Sequence, residues 1–166
     1  MRINNNIKQV LWVVLLGMLL SGCATVGKHS GSDQAAKQET DSEMGVRYLL
    51  GRGVEQSDEK AFHYFKEAAS DGDPFADNEL AYLYAAGKGT KQNYEKAVFY
   101  YQLAAFQNIA SAQFNLGLLY MKGLGVSASQ VEGMKWIEKS AAHDFEPAKQ
   151  YLLQHQSETL PDAHTT

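Results

Sequence analysis

The chain has a single cysteine, no apolar run long enough to span a bilayer and no excess of positive charge. Among its 166 residues only Cys23 carries a thiol, so no disulfide can form within the chain. The apolar run at residues 10–20 would rise only ~16 Å as a helix, against a hydrocarbon core of ~30 Å. The 15 basic residues are outnumbered by 19 acidic ones, which gives a net charge of −4. Because phosphate binding needs clustered Lys and Arg, this balance argues against a nucleic-acid partner.

The apolar run follows a positively charged start and predicts an export signal. Arg2 and Lys8 precede it, and a short run behind a basic segment is typical of a secretory signal peptide. A buried core helix is the alternative, but the run shows no polar face. The last residue of the run and the three that follow it, LSGC at 20–23, resemble the lipobox of bacterial lipoproteins. That resemblance implies that residues 1–22 are removed and that Cys23 is acylated.

The same resemblance implies attachment to the bacterial cell envelope. Two or more acyl chains on Cys23 would anchor the chain effectively permanently, and Ala24 favours the outer membrane, facing the periplasm. Loss of residues 1–22 would leave 13 basic and 19 acidic residues, a net charge of −6. Residues 23–39 are short of large apolar side chains, so we expect a flexible tether after the lipidated cysteine. Residues 156–166 predict a disordered tail.

The most informative feature of the sequence is an internal repeat of 36 residues. When the chain is shifted against itself by 36 positions, seven columns of matching residues align without gaps. Apolar residues recur at helical spacing and each glycine pair stands where a helix must end, so each unit is predicted to form two antiparallel helices. The columns are Gly51, Gly87 and Gly123; Gly53, Gly89 and Gly125; Tyr48, Tyr84 and Tyr120; Tyr64, Tyr100 and Trp136; Ala69, Ala105 and Ala141; Ala76, Ala112 and Ala148; and Leu80, Leu116 and Leu152.

Polar residues at the helix starts support this assignment. Thr40 and Ser129 each stand three residues before a Glu, which is capping-box spacing, and Asp73 precedes Pro74 as an N-cap precedes a first-turn proline. One unit cannot bury its own apolar face, and about three are needed for a stable stack. We expect helices near 40–51, 57–71, 74–87, 93–107, 110–123 and 129–143, with a capping helix near 147–155.

The shared pattern of the units resembles the Sel1-like repeat, a relative of the tetratricopeptide repeat. It reads A-x3-L-G-x2-Y-x2-G-x-G-V and then A-x2-W/Y-x3-A-A-x2-G, over roughly residues 40–153. The resemblance implies an all-α fold: a short right-handed α-solenoid of three helix-turn-helix repeats with a C-terminal capping helix. Within residues 40–155 it places the repeats at about 40–75, 76–111 and 112–147 and the cap at 148–155. Some members carry one disulfide per repeat, which this chain cannot form.

Three departures from the pattern have physical consequences. Asn108 and Asp144 replace the glycine that closes the second helix, and both residue types tolerate a left-handed backbone better than most. Gly133 replaces an alanine inside a helix, where it costs ~1 kcal/mol. We therefore expect the third unit to be the weaker one.

No pattern in the chain predicts catalysis, a metal site or a cofactor. The five histidines lack the spacing of metal ligands, no G-x-S-x-G elbow is present, and Cys23 is assigned to lipid. The segment at 51–53 lacks the third Gly and the Lys of a phosphate loop, and it recurs as part of the repeat. We expect a protein that is not an enzyme and binds no cofactor.

In a superhelical stack the first helix of each unit lines the concave face, where a segment of a partner protein can bind. Tyr82 and Phe114 are the strongest candidates there, because aromatic side chains dominate interface hot spots. The alternative is that several of these side chains pack against the tether or the second helices. By alignment with the tetratricopeptide relative, the resemblance places six partner-binding side chains on this face: Val46, Asn78, Tyr82, Phe114, Leu118 and Met121.

Two functions fit these expectations. The first is a periplasmic adaptor that binds an envelope component, a role found among Sel1-like lipoproteins. The alternative is an immunity protein that neutralises a secreted toxin, such as a phospholipase delivered by a type VI-type system. Tight, one-to-one and salt-sensitive inhibition of one basic toxin would select the alternative. A cell-wall hydrolase is disfavoured because no catalytic constellation is recognisable.

Overall fold

Seven helices follow one another through residues 39–156, the part of the chain that the computed structural model describes. No strand occurs in these residues, so the expected all-α solenoid is confirmed. The predicted signal peptide, the lipidated Cys23, the tether before Glu39 and the tail after Gln156 lie outside the described residues. The helices are α1 Asp41–Leu50, α2 Asp58–Ser70, α3 Pro74–Ala86, α4 Tyr94–Phe106, α5 Ala110–Lys122, α6 Gln130–Ala142 and α7 Glu146–Gln156.

Side-chain caps set the starts of α1, α2, α3, α4 and α6. At α1 the Thr40 hydroxyl accepts a hydrogen bond from the Glu43 N–H while the Glu43 carboxylate accepts from the Thr40 N–H, which is the predicted capping box. At α6 the Ser129 hydroxyl accepts from the Glu132 N–H, but the Ser129 N–H donates to the Tyr120 carbonyl, so only half of the predicted box forms. Asp73 caps α3 and Pro74 is its first residue, as predicted.

Left-handed residues close the helices. Gly51, Gly87 and Gly123 follow the first helix of each unit with φ values of 65°, 68° and 65°. Asn108 and Asp144 adopt the same conformation after the second helices, with φ values of 65° and 61°. The sequence-based account of these departures is therefore confirmed.

In the second and third units, the second glycine of the pair lies against the preceding unit. A Cβ atom at Gly89 would overlap with the carbonyl of Asp58, at the start of the second helix in the preceding unit. A Cβ at Gly125 would overlap in the same way with the carbonyl of Tyr94. Gly53 belongs to the first unit, and its nearest atom is a guanidinium nitrogen of its own unit at 3.5 Å. Gly89 and Gly125 let the loop of one unit rest directly on the backbone of the unit before it.

The core lies between the first and second helices and continues along the stack. At aligned positions of α2, α4 and α6, Phe65, Tyr101 and Ile137 are each at most 3% exposed. Burial on this scale contributes roughly 1.5–3 kcal/mol for each large apolar side chain. Small residues let the helices approach closely around them, and the fully buried alanines are Ala61, Ala76, Ala81, Ala97, Ala104, Ala105, Ala112 and Ala148.

The close approach of α5 and α6 explains the unusual glycine at 133. A Cβ there would overlap with the Met121 side chain and lie 2.8 Å from the Gly117 carbonyl oxygen. Glycine therefore has a packing role at this position, which helix propensity alone does not reveal. The expected weakness of the third unit stays a prediction.

Candidate partner-binding surface

The structure gives different surroundings to the side chains that were predicted to bind a partner. Tyr82 on α3 is 40% exposed, and the Lys88 amine lies 5.5 Å from its ring centroid. Asn78 is only 8% exposed. Its amide donates to the Glu79 carboxylate at 2.8 Å, and its side-chain oxygen accepts from the Ser111 hydroxyl at 3.3 Å. Of these two, only Tyr82 can contact a partner without rearrangement of the fold.

The capping helix covers two further candidates. The ring of Phe114 lies 5.7 Å from the ring of Phe145 and 6.1 Å from that of Tyr151, which belongs to α7. The Tyr151 hydroxyl donates to the sulfur of Met121 at 3.3 Å. Phe114 and Met121 are therefore half-buried within the fold, and Phe114 joins the cap to the third unit.

The remaining two candidates are also half-buried. Val46 on α1 packs against the hydrophobic core, and Leu118 on α5 stands at the position aligned with it. Tyr82 occupies the same column in the second unit. Binding by any of the six side chains stays a prediction, but the exposed area is concentrated at Tyr82.

Tyr82 belongs to a polar cluster where the second and third units meet. The hydroxyl of Tyr101 on α4 shares a hydrogen bond with Asn115 on α5. Beyond the effect of burial, electrostatic interactions with Glu79 and Tyr82 on α3 raise the pKa of that hydroxyl. We name these four residues the Glu79 cluster. Three of the four were missed from the sequence. The signal that could have found two of them is the aligned column Glu43, Glu79 and Asn115, which stays polar in every unit.

Burial controls the charge of the Glu79 cluster. It raises the pKa of the Glu79 carboxyl, and the hydrogen bond from Asn78 opposes that change. Burial also raises the pKa of the Tyr101 hydroxyl, with a further contribution from the Glu79 carboxylate. A carboxyl that has lost part of its water is stabilised by any new hydrogen-bond donor or cation that reaches it. The arrangement is therefore suited to accepting a donor from a partner beside an aromatic contact.

Asp77 has the other clearly altered carboxyl on α3. It is 3% exposed, and its Oδ1 has no hydrogen-bond partner. Burial, followed by the charge of Asp73, raises its pKa to about 6. At the aligned position of the third unit, Gln113 donates to the Ala105 carbonyl at 3.0 Å. We therefore assign this column to packing between helices.

Residues 39–156 contain neither a metal-binding cluster nor a membrane-spanning helix. No group of three or more His, Cys, Asp or Glu side chains in this range is placed to hold a metal ion. None of the helices α1 to α7 combines the length and the apolar character of a membrane span.

Several solved structures share the helical-repeat fold of this chain. A Sel1 repeat protein from Oxalobacter formigenes is 38% identical, with a TM-score of 0.62, over 69% of this chain and 86% of that one. A protective antigen present in uropathogenic Escherichia coli strains, which displays an SLR fold, is 32% identical with a TM-score of 0.68. The match covers 72% of this chain but only 26% of that protein. Helicobacter pylori cysteine rich protein B, at 23% identity and a TM-score of 0.56 over 67% of this chain and 87% of that one, shares the fold.

The sequence itself matches a known repeat. Three copies of the Sel1 repeat align with residues 42–73, 74–108 and 110–145. A search of curated proteins found no significant match to the chain. Sel1-repeat proteins are in general protein-interaction scaffolds. The repeats cover most of the described residues and agree with the helix pairs of the structure, so the chain belongs to the Sel1 repeat family.

Proposed function

We propose that this chain is a non-catalytic adaptor lipoprotein that holds another protein at the bacterial envelope. The observation that carries the proposal is the Tyr82 ring, which stands 40% exposed beside the partly buried carboxylate of Glu79. The general role of Sel1 repeats as interaction scaffolds supports it. The partner binds across the Glu79 cluster, at the junction of the second and third units.

The exposed ring at position 82 is not needed for stacking. The aligned residues Val46 and Leu118 are half-buried aliphatic side chains in units with the same fold. A tyrosine here adds a large contact area with few rotatable bonds, which suits an interface. The same side chain is therefore the expected hot spot of the complex.

Glu79 determines which chemical groups a partner must place at this surface. Its carboxylate accepts hydrogen bonds, and partial burial makes each new hydrogen bond to it stronger than the same bond would be in water. The partner therefore places a backbone N–H or a basic side chain at Glu79 and an apolar or aromatic side chain on Tyr82. An extended segment or a helix can supply both.

The envelope location is proposed from residues 1–23. The basic start, the short apolar run and the LSGC sequence resemble those of exported, acylated proteins. A flexible tether of about 16 residues between Cys23 and α1 would span roughly 20–25 Å on average. The repeat domain would then reach partners close to the membrane without inserting into it.

Crosslinked co-purification of the tagged, full-length chain from its own cell envelope tests this function. We expect the wild type to enrich a small set of resident envelope proteins. Tyr82→Ala and Glu79→Gln should each lower that enrichment at least tenfold, because they remove the contact area and the charged acceptor. Leu153→Ala is the matched control, since Leu153 is 67% exposed on α7 and lies outside the Glu79 cluster. Circular dichroism should show equal helical content in all variants.

Other outcomes decide against parts of the proposal. If Tyr82→Ala enriches the same partners as strongly as the wild type does, the Glu79 cluster is not the binding surface. One dominant secreted toxin in place of resident proteins would make the chain an immunity protein. Membrane association that persists in Cys23→Ser would contradict the lipid anchor.

A further inference from the structure

Helix α4 exposes three large apolar side chains along one line. Phe99, Leu103 and Phe106 are 54%, 39% and 68% exposed. Spacings of four and three residues place them on one face of a helix, over a length of about 10 Å. Tyr101 and Ala104 occupy the opposite, buried face. We name the three exposed residues the α4 stripe.

The repeat itself shows that the stripe is not required for folding. The same positions of the first and third units carry exposed polar or small residues, although those units stack in the same way. An apolar surface that the fold does not need and that faces water marks an interaction site. The aligned residues are His63, Glu67 and Ser70 in the first unit and Lys135, Lys139 and Ala142 in the third.

The first end of the stripe borders a cleft with two lysines. Phe99 lines an open cleft of about 470 Å³ together with Lys66 from α2 and Lys96 from α4. Among the described residues that line the cleft, Glu95 is the one carboxylate. The Lys96 amine lies 5.1 Å from the ring centroid of Tyr84 in the same wall. This end therefore has an excess of positive charge.

The second end of the stripe has the same chemistry. Phe106 packs edge-on against Trp136 with ring centroids 5.6 Å apart. The Lys139 amine lies 5.3 Å from the centroid of that Trp136 ring. An apolar line with lysines at both ends is unusual on a chain whose net charge is −4. Its charge complement is an apolar surface flanked by carboxylates.

Neither a second copy of the chain nor its own C-terminal tail suits the α4 stripe. The exposed area argues against the second copy, and the composition of the tail argues against the tail. A large side chain of this kind has a surface of about 150–250 Å². Multiplied by the exposed fractions of Phe99, Leu103 and Phe106, this gives an exposed apolar area on the order of 300 Å². A stable dimer buries about 800 Å² on each partner, so a second copy cannot be held by the stripe alone. The chain's own tail, residues 157–166, has Leu160 as its one large apolar residue, which cannot match three.

We propose that the α4 stripe is a second docking surface, which binds an acidic amphipathic helix of another protein. Such a helix places apolar residues at i, i+3 or i+4, and i+7 against the stripe, over two turns of both helices. Carboxylates beside those residues reach Lys66 and Lys96 at one end and Lys139 at the other. This site is separate from the Glu79 cluster, so the two surfaces can bind at once.

A displayed library of short amphipathic helices tests the inference with the full-length protein. The library holds three apolar positions at i, i+4 and i+7 and varies the flanking positions among Glu, Lys and Gln. We expect the wild type to enrich helices with Glu at the flanks. The triple variant Phe99→His, Leu103→Glu and Phe106→Ser, which carries the first unit's own residues, should bind the enriched peptides at least tenfold more weakly. Tyr82→Ala should bind them as the wild type does.

The remaining results would each overturn the inference. Enrichment of basic or neutral flanks, or equal binding by the triple variant, would show that the stripe does not select acidic helices. Binding to phosphatidylglycerol vesicles without binding to the peptides would assign the stripe to a lipid surface. A dimer in analytical ultracentrifugation that the triple variant abolishes would assign it to a second copy. Since Tyr82→Ala reports only on the Glu79 cluster, failure of either surface is recognised separately.

Discussion

Replacement of Gly89 by Ala tests how the units are joined, and Gly53→Ala is its matched control. Both glycines hold the second position of the glycine pair, and their φ values are 65° and 71°. An alanine at either site therefore bears the same penalty of about 1–2 kcal/mol for a left-handed backbone. Only at Gly89 does the added Cβ overlap with the Asp58 carbonyl of the preceding unit.

The overlap at Gly89 sets the expected difference. Overpacking of a rigid site costs about 1–3 kcal/mol, and a backbone carbonyl cannot rotate away as a side chain could. Gly89→Ala should therefore lower the free energy of unfolding by about 2–5 kcal/mol, against about 1–2 kcal/mol for Gly53→Ala. Gly125→Ala should behave like Gly89→Ala, because its Cβ would overlap with the carbonyl of Tyr94.

Urea and thermal unfolding of the purified proteins, followed by far-ultraviolet circular dichroism, measure this difference. At about 4 °C or more per kcal/mol, the Tm of Gly89→Ala should lie roughly 4–12 °C below that of Gly53→Ala. Equal destabilisation by the two variants would refute the reasoning. It would mean that only backbone conformation matters at these sites and that the loops do not rest on the preceding unit.

Three further predictions concern stability. Gly133→Ala should destabilise the protein by up to about 2 kcal/mol in urea unfolding, since overpacking against Met121 costs about 1–3 kcal/mol and helix propensity returns ~1 kcal/mol. A more stable variant would contradict the close approach of α5 and α6. Asp77 has its pKa raised from 3.8 to about 6, so the native state binds more protons and wild-type stability should fall as pH rises from about 4 to about 6. Asp77→Asn should be more stable than the wild type at pH 7 and lack that slope, and an unchanged slope would show that other groups cause it. Tyr151→Ala should lower the free energy of unfolding by about 1–3 kcal/mol because it uncovers Phe114, and an unchanged urea midpoint would contradict the capping role of α7.

Most of the fold was predictable because its signals are local and repeated. Thr40, Asp73 and the first glycines of each pair act within a few residues of the helix ends that they define. Three aligned copies of the glycine pairs and of the apolar columns made the helix bounds agree with the structure to within one or two residues. The left-handed Asn108 and Asp144 were predictable for the same reason.

The contacts between units could not be predicted in this way. Gly53 and Gly89 look identical in the sequence, and only the preceding unit makes them different. Phe114 reads as an exposed first-helix side chain until α7 is placed against it. Gly133 reads as a weak point until its distance from Gly117 is known.

The candidate site was predictable only in part. Tyr82 was found because an aromatic residue on a first helix is a recognised interface signal. Glu79 and Tyr101 were missed, because their role depends on the approach of α3, α4 and α5 at one point. The α4 stripe leaves no signal in the matching columns, because its positions are large and apolar in the second unit alone. The signal for Phe99 and Phe106 is instead a difference between aligned units.

Site-specific photocrosslinking in living cells tests the central claim most directly. A photoreactive amino acid is placed at position 82, in the Glu79 cluster, and separately at position 153, where Leu153 is 67% exposed on the capping helix. We predict a discrete crosslinked protein from position 82 that is absent from position 153 and disappears when Glu79→Gln is added. No adduct at position 82, or the same adducts from both positions, would contradict partner binding at the Glu79 cluster.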